Sequence, residues 1–353
     1  MYKKAIIAPL NWGLGHATRC IPIIQSLLHH HVKVVIASDG QALDLLRMEF
    51  PQIPCYELTS YHIHYRFTHP VMNMLWHSRN FIRAMNREKK EMTRLIQKEN
   101  PDLIISDNRY GVHSKKITSV FISHQIKLQT GHAFLDPLAS AINQRLMKPF
   151  DHIWIPDFPP PHQLAPQLSS PPQKSHTYLG ILSRLEPKKT RETYDLCGII
   201  SGPEPQRTKL EYILTEQMQQ VPGNHILILG KTPERIEHNL GNVKLVSYMT
   251  STQLNEVINS SKIIVARTGY TTIMDLIKTG KKAILIPTPG QPEQIYLAKS
   301  LKNHPNFEIQ QQQNLNLMNT VESIFSKEGK MINLETFDML PFLEKLETFH
   351  FKI

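Results

Sequence analysis

The sequence predicts an α/β protein built of two doubly wound halves. Three observations carry that expectation. Short apolar runs alternate with longer amphipathic stretches, and the alternation occurs twice along the 353 residues. A proline-rich segment, PDFPPPHQLAPQLSSPPQ (residues 156–173), separates the two series. A chain of this length is also long for a single core, so two domains are expected.

In the first half, KKAIIAPL, VKVVIASD, DLIISDN and TSVFISHQ read as buried strands, and FDHIWIPDF as one more. HATRCIPIIQSLLHHH, between the first two, has helical spacing. Buried strands separated by helices imply βαβ units and a parallel sheet. The proline-rich segment cannot be a regular element and reads as a loop. YLGILSRLEPKKTRETYD reads as the crossing into the second half. There LCGIISG, NHILILG, VKLVSYM, KIIVART and KAILIPT repeat the rhythm, with helical segments between them. The amphipathic tail, INLETFDMLPFLEKLETFHFKI, is expected to form one or two helices. The expected domains are 1–182, 190–328 and a helical tail 329–353. Two such domains are expected to leave a cleft, with ligands at the carboxyl ends of the strands.

No apolar stretch approaches the roughly 20 residues of a membrane-spanning helix. The opening MYKKAIIAPLNWG is too short in its apolar part for a secretory signal and reads as a first core strand. Cys20, Cys55 and Cys197 show neither metal-ligand spacing nor a pairing pattern, and a reducing cytoplasm fits them. The net charge is +10, and nearly all the excess lies in residues 1–150. Part of it is one segment in which Arg79, Arg83, Arg87, Lys90, Arg94 and Lys98 recur at helical steps. This is either a solvated helix face or a face attracted to anionic lipid or an acidic acceptor. Nucleic acid is not expected, because no aromatic-interleaved basic motif accompanies the stripe.

The strand ends carry the chemistry. NWGLGH (11–16) follows the first strand and runs into a helix. Gly13 and Gly15 permit close approach to the backbone, and the helix N-terminus offers free N–H groups. A dinucleotide fingerprint would place a third glycine where Thr18 stands, although Asp39 stands where a ribose-binding acid would. His16, one of 18 histidines, is set apart by its place at the mouth of this turn, where a neutral imidazole can take a proton from a hydroxyl. GIISGPEPQR (198–207) is either a phosphate cradle using Ser201 and Gly202 or a tight βα turn. In VARTGYTTIMDLIKTGKKAILIPTPGQPEQ (265–294), Arg267, Thr268 and Gly269 precede a helix bearing Asp275. Hydroxyls at a helix N-terminus suit a phosphate, and a carboxylate one or two turns on suits two ribose hydroxyls. Glu293 and Gln294, after the next strand, can read a ring of sugar hydroxyls.

These residues resemble the GT-B glycosyltransferases, above all the family that includes the peptidoglycan-precursor N-acetylglucosaminyltransferase and the plant galactolipid synthases. The resemblance implies two Rossmann-like domains facing across a cleft, the first on the acceptor side and the second holding a nucleotide sugar. It implies His16 as the catalytic residue, in the glycine turn of Gly13 and Gly15. The donor-binding set it implies is those two glycines with Ser201, Gly202, Tyr248, Met249, Arg267, Thr268, Gly269, Asp275, Glu293 and Gln294. Tyr248 and Met249 would flank the base, and Asp275 would hold the ribose. Asp107, Asn108, Arg109, His124 and Gln125, at strand ends of the first domain, are candidates for the acceptor pocket. The chain departs from these relatives in its shorter glycine run and in carrying Asp275 where the family often has Glu, so their acceptor specificity is not carried over.

The implied reaction is inverting transfer of a sugar from a nucleotide sugar, UDP-linked with UDP-N-acetylglucosamine as the candidate donor, to a hydroxyl. No metal and no cofactor is expected: the sequence has no strand-end D-x-D pair and no His/Cys cluster. The expected partners are the donor, a hydroxyl acceptor that could be lipid-linked, and an anionic membrane surface, which would make the enzyme cytoplasmic and peripheral to the inner membrane face. Two other readings stand beside this one: a UDP-sugar epimerase of the same architecture, and a non-catalytic nucleotide-sugar binder.

Overall fold

The computed structural model describes residues 2–61, 70–172, 174–230, 236–327 and 337–350. The chain divides into two compact units, Met1–Leu182 with Phe337–Ile353, and Ser183–Thr336.

The N-terminal unit runs β1 (Lys4–Pro9), α1 (Gly15–His29), β2 (Lys33–Ser38), α2 (Gly40–Glu49), β3 (Cys55–Glu57), α3 (Pro70–Glu99), β4 (Leu103–Asp107), β5 (Thr118–Ile122), α4 (Asp136–Met147), β6 (His152–Ile155) and β7 (His176–Tyr178). Its sheet has the order β3-β2-β1-β4-β5-β6-β7, and every pairing is parallel. Strands covered on both faces need near-continuous apolar sequence, and β1, β4 and β5 are buried almost throughout. One core layer joins Ile6, Val35 and Ile104 of the sheet to Met92 and Leu95 of α3. The proline-rich segment contains no helix or strand among its described residues.

The C-terminal unit runs β8 (Tyr194–Ile199), α5 (Gln206–Gln220), β9 (His225–Ile228), β10 (Glu237–Leu240), β11 (Val243–Val246), α6 (Ser251–Asn259), β12 (Ser261–Arg267), α7 (Tyr270–Thr279), β13 (Lys282–Ile286), α8 (Pro292–Ser300), β14 (Phe307–Ile309) and α9 (Leu317–Phe325). Its sheet order is β10-β11-β9-β8-β12-β13-β14. Among the described residues only its edge hairpin β10–β11 is antiparallel. A last helix, α10 (Leu340–His350), belongs to the N-terminal unit, where Asp338 accepts from Ser26 at 3.2 Å and bonds His30 Nε2 at 2.6 Å.

Both sheets reverse their winding once. In the N-terminal unit this happens between β1 and β4, where Pro9 lies opposite Asp107. In the C-terminal unit it happens between β8 and β12, where Ile199 lies opposite Ala266. At such a reversal the two connecting segments leave in opposite directions and open a crevice beyond the carboxyl ends.

α3 and α4 cover the same face of the N-terminal sheet. Phe81 of α3 packs edge-on against Tyr110 with ring centroids 5.8 Å apart, and the Tyr110 hydroxyl donates to Asn143 of α4 at 2.6 Å. The outward side of α3 exposes Arg83, Arg87, Lys90, Arg94 and Lys98; the side chain of Arg79 lies outside the described residues. α4 buries Ala139, Asn143 and Met147. Leu138 and Ile142 on its outward side are 57% and 45% exposed and lead on to exposed Arg145, and Phe134, two residues before the helix, is 78% exposed.

Candidate active site

At the N-terminal reversal, the turn after β1 brings His16 into the first turn of α1, with Gly13 at φ +73° just before it. β4 ends on Asp107, which is fully buried. His16 Nδ1 lies 2.7 Å from Asp107 Oδ1. Arg19, one helical turn beyond His16, directs Nε and Nη2 at the two oxygens of the same carboxylate and Nη1 at His124 Nδ1, 3.0 Å away. Burial opposes ionisation of Asp107, yet Arg19 and His16 outweigh it and hold the carboxyl well below its ordinary range. Burial also lowers the His16 imidazole below its usual value; Asp107 works against that and Arg19 adds to it. His16 is therefore neutral near pH 7. Its Nε2 has no hydrogen-bond partner among the described residues, and 12% of its side chain is exposed. A neutral imidazole with one nitrogen tied to a carboxylate and the other open can accept a proton.

Of the other residues expected here, Asn108 is half-buried at φ +59°, a conformation asparagine tolerates. Gln125 is half-buried, and its carbonyl accepts from Asn143 at 2.8 Å. Arg109, expected among the acceptor contacts, is instead fully buried. Its guanidinium bonds Glu88 of α3, Asp39 after β2 and the Thr59 carbonyl. A side chain so engaged braces the crossover from α3 to the sheet and presents nothing to a ligand. Asp39, at the ribose position of a dinucleotide fingerprint, is held by this arginine and by Asn11 Nδ2 at 3.2 Å.

At the C-terminal reversal, β8 runs into Ser201 and Gly202, both exposed, with Gly202 at φ +105°. A side chain at Gly202 would put its Cβ 3.5 Å from Thr288 Oγ1 and 3.8 Å from Arg267 Nε, so the bare backbone here borders both groups. Arg267, at the end of β12, is 1% exposed. It donates to the Gln206 carbonyl at 2.8 Å and to Gln312 Oε1 at 2.6 Å. No carboxylate of the described residues pairs with it, and burial alone lowers its pKa to about 10. At these strand ends, three buried polar atoms have no partner among the described residues: Arg267 Nε, Thr268 Oγ1 and Thr288 Oγ1. Buried polar groups left without partners cost about 1–3 kcal/mol each, so a group of them at a strand-end crevice marks a place prepared for another molecule. Just beyond, Gly269 stands at the N-terminus of α7, where no side chain caps the helix. An arginine without a counter-ion, two free hydroxyls and an uncapped helix N-terminus together suit an anion.

Asp275 lies in the second turn of α7, partly exposed, and accepts from Ser183 Oγ at 2.6 Å. Burial pushes its carboxyl up to about 6, against the pull of Arg184 and of the Ser183 hydroxyl. Glu293 and Gln294 sit in the first turn of α8. Gln294 is engaged within its own loop, accepting from Thr288 N at 2.8 Å and donating to Gln291 at 2.7 Å. Tyr248 and Met249 are half-buried ahead of α6, whose start is fixed by a reciprocal cap between Thr250 and Gln253. The sequence reading missed Arg19 and Thr288. Arg19 was legible as the i+3 neighbour of His16, and Thr288 as the hydroxyl two residues beyond β13, the strand beside Arg267.

Among the described residues no three His, Cys, Asp or Glu side chains cluster as metal ligands, and no helix is long and apolar enough to cross a membrane.

Residues 211–338 match the glycosyltransferase family 28 C-terminal domain. No curated protein sequence matches the chain significantly. Among solved structures, the chain is similar to the kitacinnamycin glycotransferase, at 14% identity and a TM-score of 0.65 over 92% of this chain and 91% of that one. It is similar to MurG of Acinetobacter baumannii, at 13% identity and a TM-score of 0.52 over 92% and 90% of the two chains. The spinosyn rhamnosyltransferase SpnG, complexed with thymidine diphosphate, gives 14% identity and a TM-score of 0.61 over 92% of each. These likenesses establish the two-domain GT-B fold. Nothing in the comparisons supports an epimerase. Residues 211–338 thus carry a glycosyltransferase family 28 C-terminal domain, within a chain that has the GT-B fold of these structures.

Proposed function

We propose that the chain transfers a sugar from a nucleotide sugar, UDP-linked, to a hydroxyl acceptor, with inversion and without a metal ion. The observation that carries this reading is the set of unpartnered buried atoms at the ends of β12 and β13: Arg267 Nε, Thr268 Oγ1 and Thr288 Oγ1. They suit the diphosphate, which gains charge as the sugar departs. The Arg267 guanidinium supplies positive charge where other enzymes use a cation, and the α7 N-terminus adds its dipole. Asp275 takes the ribose hydroxyls, Tyr248 and Met249 flank the base, and Glu293 and Gln294 read the sugar. His16 removes the acceptor's proton through Nε2 as the oxygen attacks the anomeric carbon, and Asp107 orients the ring. A single displacement of this kind inverts the anomeric centre.

The proposed setting is a cytoplasmic membrane surface bearing a lipid-linked acceptor. Support comes from the exposed basic side of α3 together with exposed Phe134, Leu138 and Ile142 and the nearby Arg145 at α4. Such a combination suits an anionic bilayer.

A thermal-shift panel of UDP, GDP and dTDP with their sugars tests the donor assignment. Stabilisation by the UDP series is expected; no stabilisation by any diphosphate would remove the reading. Incubation with UDP-N-acetylglucosamine alone separates transfer from epimerisation, since an epimerase alters the sugar with no acceptor present.

A further inference from the structure

Three side chains of the N-terminal unit meet one carboxylate, that of Asp107, and a fourth meets one of the three. Arg19 faces both oxygens of Asp107 and, through Nη1, His124 Nδ1 at 3.0 Å. His16 Nδ1 lies 2.7 Å from Asp107 Oδ1, and Cys20 Sγ lies 3.7 Å from Oδ2. A guanidinium has five N–H donors, no acceptor, and does not deprotonate. The His124 nitrogen it faces is therefore a lone pair, so neutral His124 carries its proton on Nε2. A carboxylate has only acceptors. The His16 nitrogen it faces therefore carries the hydrogen, which leaves the lone pair on Nε2. His16 Nδ1 is also 2.9 Å from Arg19 Nη2. Were that contact the hydrogen bond, an Nδ1 lone pair would oppose a buried carboxylate oxygen at 2.7 Å.

We infer that Arg19 is a positioning residue that, with Asp107, sets opposite tautomers on two histidines: His16 becomes an acceptor at Nε2, and His124 a donor at Nε2. The catalytic meaning of the arrangement rests on the reading of His16 as the base; the tautomers do not. Arg19 has a second effect. By neutralising Asp107 it keeps that carboxylate from drawing a proton onto His16. The groups facing His16 are Asp107 on β4, Arg19 on its own helix and His124 after β5, with Cys20 behind the carboxylate. Only Asp107 favours the imidazolium.

The test is long-range ¹H–¹⁵N correlation spectroscopy of the histidine-labelled full chain at about pH 8, where imidazoles of ordinary pKa are neutral. His16→Gln and His124→Gln identify the two signals among 18 histidines. The Nδ1–H form is expected for His16 and the Nε2–H form for His124; the other form on either ring overturns the inference. In Arg19→Met the His16 titration should move upward, and His124 should lose its single tautomer. Arg19→Lys keeps the charge, so there the His16 midpoint stays nearer wild type while the His124 tautomer becomes mixed. A folded Arg19→Met chain with both signals unchanged would also overturn it, and if that variant does not fold, the wild-type and Lys spectra decide. The spectra need no substrate. Correct tautomers with an active His16→Gln enzyme would leave this inference standing and remove the base assignment instead.

Discussion

His16 Nδ1 meets the Asp107 carboxylate at 2.7 Å across 91 residues of sequence. The contact exists because β1 and β4 are neighbours at the point where the sheet reverses, so a residue in the first turn of α1 and the residue ending β4 share one edge. Replacing His16 by alanine should lower kcat by about 10²–10⁴-fold, the usual worth of a general base. Binding of the nucleotide sugar should be unchanged by calorimetry. A wild-type rate in the variant would remove His16 from the chemistry.

Asp107 also balances a buried guanidinium. Asp107→Asn leaves Arg19 charged and without its ion-pair partner, a loss of about 3–5 kcal/mol for a buried pair, read as a lower urea midpoint. The pH dependence follows from both partners. The folded chain holds Asp107 and His16 with fewer protons than the unfolded chain does. Stability should therefore fall with acid, first as pH drops below about 6.5 through His16 and again below about 4 through Asp107. A flat profile over that span in Asp275→Asn, which removes the carboxylate of opposite pH sign, would contradict the assignment.

Thr288 offers a separation of stability from binding. Its hydroxyl is buried without a partner among the described residues. Thr288→Val removes that group at nearly constant shape, so stability without ligand should be equal or greater. The same change should reduce the thermal stabilisation given by a nucleoside diphosphate, by about 1 kcal/mol of binding. Arg267→Met should cost more, about 1.5–3 kcal/mol, because its hydrogen bond is charge-assisted. Unchanged diphosphate affinity in both variants would place the anion elsewhere.

Asp275 has the opposite pH sign. Its folded pKa, about 6, lies above the ordinary carboxylate value. The stability linked to it is complete below about pH 4 and is lost as pH rises through 6. Asp275→Asn should thus raise stability at neutral pH, on the order of 2 kcal/mol, and weaken nucleotide binding. Ribose hydroxyls need the ionised carboxylate, so wild-type nucleotide affinity should climb between pH 5 and 7. Thermal melts and titrations across that range check both halves.

The outward stripe of α4 should matter only at a membrane. Phe134→Ser with Leu138→Ser removes exposed apolar area and touches no core residue. Cosedimentation with phosphatidylglycerol vesicles should fall several-fold, while transfer to a water-soluble acceptor stays near wild type. Equal binding of the parent chain to neutral and anionic vesicles would end the membrane assignment.

The fold was largely legible in the sequence. Parallel strands covered on both sides must be apolar along their length, and every apolar run read as a strand is one. The strand-end positions of His16, Ser201, Gly202 and Arg267 followed from the same pattern, because a strand's end is local information. What each strand-end residue touches is not local. Asp107 and Arg109 stand two apart and looked alike as acceptor contacts; tertiary packing gave one to His16 and the other to Glu88 of α3. Arg19 and Thr288 were ordinary helix and loop residues until the sheet order set them beside a carboxylate and a lone arginine. Periodicity records which side of an element faces inward, and only the order of strands decides which inward groups meet.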